Sequence, residues 1–462
     1  MTMLPFFPRY RRCALLCSLL LAWAFLPGCA TLPDHAKTLP PLPVQWDSIR
    51  AGEQAGPPAR WWVALGDQQL NDLIETALAR NRDLSRARLA ERVAQVNTAL
   101  DQAGFGLQLQ GGLSASKSIA PAARVVKGAS LSGSYALDVW GRQDVIIAID
   151  RLTLGMRMEE TEAARWTLTV RVAELYWLLA VIDKKTPLLQ ANADDASAAL
   201  DAAQARFDTG VARVAELNQR KTDLALTRAA LAGADAQRRG TQLSLAILLD
   251  AVPQGFSVAH AVLPTAPAPD FAAGVPAALL DRRPDVRAAR LALESALQQQ
   301  VLVKSQAYPA LSLSGVLSSG DAIRKILTDP LASIALGLDL PFLHPSRVRA
   351  ERSLAQIRVD DAVVAYRDVL YGSLKQVEQL FIDRDEIDSV VAAQQALLDE
   401  ANSYADVIRG RYELGMERKQ ALRTATANQR LAAVALIEAR QRIWLNYVAL
   451  CAALGGPVLG PP

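Results

Sequence analysis

The sequence predicts a mainly α-helical chain that also supplies four strands to a transmembrane β-barrel, with one structural unit present twice. Three observations lead there. The 462 residues are 51% hydrophobic but only 6% aromatic, and the apolar share is visibly Ala and Leu, which suits closely packed helices rather than a β-sandwich. Four short segments alternate Leu or Ile with Ser, Gln or Gly, the period of a strand with two unlike faces. Each pair of these segments is followed by a helical stretch of roughly 67 residues, about 100 Å at 1.5 Å per residue and far too long for a globular helix.

At the N-terminus, Arg9, Arg11 and Arg12 precede an apolar run from Cys13 to Leu26, followed by Leu26-Pro27-Gly28-Cys29. This reads as a signal segment, 1–28, ending in a lipobox whose cysteine is acylated; the run is too short to span a bilayer comfortably. Ala30 stands where inner-membrane retention usually shows Asp, so outer-membrane sorting is expected, with acyl chains on Cys29 as the lipid anchor. The three arginines account for the whole formal charge of +3, because removing them from the 50 Lys+Arg leaves 47 against 47 Asp+Glu. A balanced chain argues against a nucleic-acid partner. Residues 29–60 carry Pro33, Pro40, Pro41, Pro43, Pro57 and Pro58 and read as an extended strap.

The first unit spans 61–250. Leu70, Leu73, Ile74, Leu78, Leu84, Leu89 and Val93 share one face of a helix that begins near Trp61 and Trp62, where both indoles are expected to pack. Strands are expected at about 106–116 and 130–139, each about the length that crosses a bilayer as a barrel strand. A helix then runs from Trp140-Gly141 to about Asp208, with Pro187 expected to kink or interrupt it; Thr209-Gly210 breaks it and a second helix returns to about Asp250. A Pro-rich linker covers 251–276. The same order recurs over 277–456: a helix at 277–307, strands at about 310–318 and 333–340, a long helix from Ser346 to about Glu413, a break at Gly415 and a return helix to Leu454. "RFDTGV" at 206 and "RYELGM" at 411 mark the two breaks, and "YALDV" and "LGLDL" mark the two strand ends. Residues 457–462 form a tail.

Nothing in the chain supports catalysis. There is no nucleophile elbow, P-loop, Cys-x-x-Cys or His-Glu-x-x-His, and His35, His260 and His344 are scattered without metal-ligand spacing, so no cofactor is expected. Asp138 and Asp339 lie at equivalent strand ends with the parity of the Ser row; each reads as a helix-start or lumen-facing acid rather than a catalytic pair. In "DRRPD" at 281–285, Asp281 is expected as an N-cap and Arg282 and Arg283 as solvated charges rather than an anion site. Gly210 and Gly415 are expected at φ > 0, where each long helix turns back.

Four strands cannot close a barrel, and an open β-edge in lipid leaves backbone groups unpaired, so the chain must oligomerise to span a membrane. Two, three or four copies would give 8, 12 or 16 strands. A soluble sheet packed on the helices would also alternate, but its polar face would carry Lys and Glu rather than Ser, Gln and Gly.

"SYALDVWGR" at 134–142, "LLDRRPDVRAARLALESA" at 279–296, "YPALSLSG" at 308–315, the two break motifs and "YVALCAALGG" at 447–456 resemble the TolC-like outer-membrane factors. With its lipobox, the chain is similar to the lipoprotein branch that includes OprM-like and NodT-like proteins. The resemblance implies a homotrimer with a 12-strand outer-membrane barrel continued by a 12-helix periplasmic α-barrel. It further implies an exit duct for a tripartite efflux or secretion system, docked to a periplasmic adaptor and an inner-membrane pump. The breaks would then be the adaptor-docking tips, at Gly210, Val211, Gly415 and Met416. Many relatives carry an acidic ring about nine residues past the second tip glycine. Here that position is Thr424, preceded by Arg423, so the gate is expected instead from Tyr412, Glu413, Glu417 and Arg418, with Arg423 disfavouring cations.

Overall fold

A computed structural model describes residues 46, 58, 60–117, 125–265, 268–269, 282–319 and 331–455. The signal segment, Cys29, Asp281, most of the strap, part of the linker and the tail lie outside the described residues.

Two short helices open the described chain, α1 (Gln68–Arg80) and α2 (Arg82–Gly104). The single helix expected here is divided at Asn81. Its side-chain oxygen accepts from the Asp83 and Leu84 amides at 2.9 and 3.0 Å, and its amide donates to the Leu248 carbonyl at 2.9 Å. An Asn that satisfies two orphan donors as an N-cap competes well with helix continuation. Asp67 caps α1 in the same way, accepting from the Leu70 amide at 3.1 Å.

A hairpin of β1 (Gln108–Lys117) and β2 (Val125–Leu137) follows, then α3 (Arg142–Asp208) and its return helix α4 (Val214–Leu248). The order repeats with α5 (Pro284–Ser305), β3 (Ala310–Ser318), β4 (Leu331–Asp339), α6 (Pro345–Glu413) and α7 (Lys419–Ala453). Two boundaries depart from expectation. β2 begins at Val125, five residues before the expected start, because Val125-Val126-Lys127 pairs with Ala115-Ser116-Lys117 and extends the ladder. Helix α5 begins at Pro284, where the ring occupies the first turn and needs no amide partner.

The long helices have 67 and 69 residues. Pro187 does not interrupt α3, which is helical from Arg142 to Asp208. Its missing N–H removes one bond, while the Thr186 hydroxyl donates to the Ile182 carbonyl at 2.7 Å and Arg238 of α4 bonds Asp183 at 2.7 Å. Lateral packing over many turns outweighs the loss of one backbone bond.

The main core lies where α1, the middle of α3 and the end of α7 converge. Trp61, Trp62, Trp177, Tyr176, Trp444 and Tyr447 are buried there, and the rings of all but Tyr176 pair with centroids 5.5–6.4 Å apart in edge and tilted arrangements. Each fully buried aromatic contributes roughly 1.5–3 kcal/mol through apolar burial. The indoles of Trp61 and Trp62 pack as expected. Tyr176 reaches Asp67 at 2.7 Å and accepts from the Val262 amide at 3.2 Å, and Trp444 donates to the Pro264 carbonyl at 3.2 Å, so the linker is stitched to the same core. Away from it, α3 meets α7 through Lys185 with Glu438 at 3.3 Å and through Arg430 with Asp195 at 2.7 Å.

Candidate functional site

The four strands form one antiparallel sheet in the order β1-β2-β3-β4. Its registers decide which residues share a face. Leu109 pairs with Gly133 and Gly111 with Leu131; Leu131, Tyr135 and Leu137 pair with Leu317, Leu313 and Leu311; Leu311 and Leu313 pair with Leu338 and Leu336. These Leu rows therefore lie on one side, whereas Leu331 at the start of β4 pairs with Ser318 on the other. The other side carries Gln108, Gln110, Ser130, Ser132, Ser134, Ser312, Ser314 and Ser333. A one-residue slip in any pairing would mix the rows. The apolar side is open, with Ile334 84% and Leu113 81% exposed. Among the described residues, no helix is long and apolar enough to cross a membrane.

The sheet is fastened to the helices at its base. Asp138 accepts from the Arg142 and Gln143 amides at 2.8 and 2.9 Å, so it caps the start of α3, the helix-start role expected of it. The Arg142 guanidinium bonds the Ser305 and Tyr308 carbonyls at 2.8 Å, Trp140 donates to the Pro309 carbonyl at 2.6 Å, and its ring stacks on Tyr308 at 5.0 Å. This clamp joins the exit of the first hairpin to the entry of the second. Neither Trp140 nor Arg142 is assigned a role by the sequence; the Trp-Gly-Arg step directly after a strand is the signal for it. Asp339 is exposed and borders a cleft with Arg142, His344, Arg347 and Glu351.

At the opposite ends of the long helices, the two breaks are near copies. Gly210 has φ +77 and Gly415 φ +72. The Gly210 and Val211 amides close onto the Phe207 and Arg206 carbonyls at 2.9 and 2.8 Å, and those of Gly415 and Met416 close onto Tyr412 and Arg411 at the same distances. These are six-to-one and five-to-two bonds, which satisfy the last carbonyls of each helix and require the left-handed residue that Gly supplies. Val211 and Met416 project from the turns, 70% and 68% exposed. Of the gate candidates, Glu417 lies 3.7 Å from Arg411 and accepts from the Arg418 amide at 3.1 Å, while Tyr412, Glu413 and Arg418 are exposed. Thr424 is exposed and Arg423 half-buried.

The "DRRPD" motif requires a correction. Arg282 is exposed as expected, but Arg283 is buried. Its guanidinium bonds both Asp285 oxygens at 3.0 and 2.7 Å, the Ala453 carbonyl at 2.9 Å and Gln376 at 2.9 Å. The last turn of α7 leaves carbonyls without helical partners, and Arg283 supplies a donor there. Burial would raise the Asp285 carboxyl, but the Arg283 hydrogen bonds and charge, with the Val286 amide, outweigh it and hold the group below the usual carboxylate range. Sequence reading also missed Asp150, pushed up by burial and by Asp101 beside it.

The family model described as "Outer membrane efflux protein" matches residues 73–250 and 275–456. The chain is 28% identical over 428 residues to the pyoverdine export outer membrane protein OpmQ of Pseudomonas putida, covering 87% of this chain and 88% of that one. It is 25% identical over 458 residues to the cation efflux system protein CusC of Escherichia coli, covering 93% and 96%. The CmeC outer membrane channel of Campylobacter jejuni has the same fold, with a TM-score of 0.79 at 20% identity over 92% of this chain and 95% of that one. A two-faced sheet carried on paired long helices, matched by the model over both halves, makes this chain a member of the outer membrane efflux protein family, an outer-membrane efflux channel.

Proposed function

We propose that the protein is the exit duct of a tripartite efflux system, passively conducting substrates from a periplasmic adaptor and inner-membrane pump across the outer membrane. One observation carries the reading: among the described residues the sheet has two unlike faces and two unpaired edges, yet continues into helices of 67 and 69 residues. In lipid, such edges must be paired, and three copies would close a 12-strand barrel over a 12-helix tunnel about 100 Å long. The two halves, each a helix, a hairpin, a long helix and a return helix, would then be copies of one unit arranged around the axis. Cys29 anchors the chain in the outer membrane through its acyl groups. Gly210, Val211, Gly415 and Met416 form the tips on which the adaptor docks, and Tyr412, Glu413, Glu417, Arg418 and Arg423 border the closed entrance. Asp339 faces the lumen from the Ser side of the sheet, beside the helix-capping Asp138. OpmQ is a pyoverdine export protein, which favours efflux over a protein-secretion duct.

Native mass spectrometry of the detergent-extracted protein tests the assembly, and planar-bilayer recording tests the pore. Three copies that conduct support the reading. A monomer that conducts overturns it.

A further inference from the structure

Two acids meet in a cleft between α2 and α3, at the base of the first hairpin. The cleft measures about 350 Å³ and is lined by Asn97, Leu100 and Asp101 of α2 and by Asp150, Thr153 and Arg157 of α3. Asp101 stands in the last turn of α2, which β1 holds through Gln108, whose side-chain amide donates to the Ala103 and Gly104 carbonyls at 3.2 and 3.0 Å. Asp150 lies about two turns into α3, the helix that Asp138 caps just after β2. The two carboxyl groups therefore face each other across the pair of helices on which the hairpin stands.

Asp150 Oδ2 is closed off from solvent and accepts no hydrogen bond among the described residues. A buried acceptor without a donor is costly, and more so when it is charged. Asp101 gives no relief while both groups are ionised, because carboxylates only accept hydrogen bonds and like charges repel. One proton on either carboxyl turns the contact into a charge-assisted O–H···O hydrogen bond. Burial, the Asp101 charge and the Asp101 contact together push the Asp150 carboxyl above its ordinary 3.8. Neighbouring charges are committed elsewhere. Arg157, the one cation lining the cleft among the described residues, is paired with Glu160 at 2.7 Å. Helix α5 packs on α3 through Leu291 at Gly155 and lines no part of the cleft; its Arg287 pairs with Glu159, Arg290 with Glu294, and Lys304 bonds Gln300.

We propose that Asp101 and Asp150 share a single proton and act as an acid-responsive clasp: gaining the proton draws the end of α2 onto α3 beneath the first hairpin, and losing it lets the two helices part. The opened state titrates near 3.8 and the clasped state above it, so closure strengthens as pH falls from neutral through the raised value and is complete below 3.8. Asp285 works in the opposite sense and below 3.8, which keeps the two effects apart. The clasp lies within one copy of the chain, so it stands or falls independently of how copies assemble. In the proposed duct it makes the mounting of the barrel on its helices respond to periplasmic acidity.

Amide hydrogen exchange of the full chain in detergent, corrected for the intrinsic pH dependence of exchange, reads the clasp at the end of α2. Protection there should rise as pH falls from neutral towards 3.8, by about tenfold for each unit separating the clasped from the opened value. Asp150→Asn and Asp101→Asn should each start above wild type at neutral pH, because the new amide donates to the remaining carboxylate, and each should remove the rise. Protection of α7 should be the same in all three proteins, which shows that the variants are folded. A flat wild-type profile at the end of α2 overturns the proposal without recourse to any variant. A rise that persists in either folded variant also overturns it and assigns the pH response to other groups.

Discussion

Arg283 shows how a charged residue in a loop becomes a fastener. Its guanidinium ties the start of α5 to the last turn of α7 and to Gln376 of α6, so truncating it leaves buried acceptors unpaired at a three-way contact. Arg283→Ala should cost about 2 kcal/mol, read as a lower unfolding temperature by tryptophan fluorescence in detergent. Asp285 carries the pH dependence of the same contact. Its carboxyl is held below the ordinary 3.8, so its contribution is fully present above that value and is lost as pH falls through the lower folded value. Asp285→Asn should lower stability at neutral pH and flatten the loss below pH 3.8. An unchanged acid profile in that variant would remove the charge pair from the account. The burial of Arg283 was not legible in "RRPD", because burial there depends on α7 ending nearby, some 170 residues later in the chain.

At the scale of the element, the two tips present Val211 and Met416 on turns whose backbone bonds are already internally satisfied. Their side chains are therefore available to a partner without disturbing the turn. Val211→Asp/Met416→Asp should reduce adaptor capture at least tenfold while native mass and bilayer conductance stay at wild-type values. Capture that persists would relocate docking away from the tips. In the proposed duct, cation block at the entrance follows from charge. Glu417 is already paired with Arg411, which leaves little unneutralised acid to hold a polyvalent cation. Periplasmic addition of a trivalent cation should block weakly and reversibly. Tight block retained in Glu413→Ala/Glu417→Ala would reveal an acidic ring elsewhere on the helices.

For the whole molecule, membrane placement has two independent supports in this reading, the closed barrel and the acylated Cys29. Cys29→Ala should abolish incorporation of a fatty-acid analogue, yet leave the oligomer able to insert, since the proposed barrel would keep its Leu rows on the outer face. Persisting label would mean that the anchor has been misassigned. Loss of assembly as well as label would make the acyl chains part of folding.

Periodicity was enough to place the strands, the long helices and the two reversals, because alternation, a 3.6-residue repeat and a turn glycine are local rules that each residue obeys with its near neighbours. Ala310–Ser318 and Glu413 fall where the pattern alone put them. The matched Leu rows were legible too, since a face needs only parity. Tertiary structure decided that β2 pairs with β3 and in what register, that Asn81 divides a helix, that Pro187 does not, that Arg142 holds the two halves together, and that Arg283 fastens three helices of the second half. Each of these depends on groups brought from more than 90 residues away in the chain, or on lateral packing that outweighs a local preference, and neither can be read from neighbours in sequence.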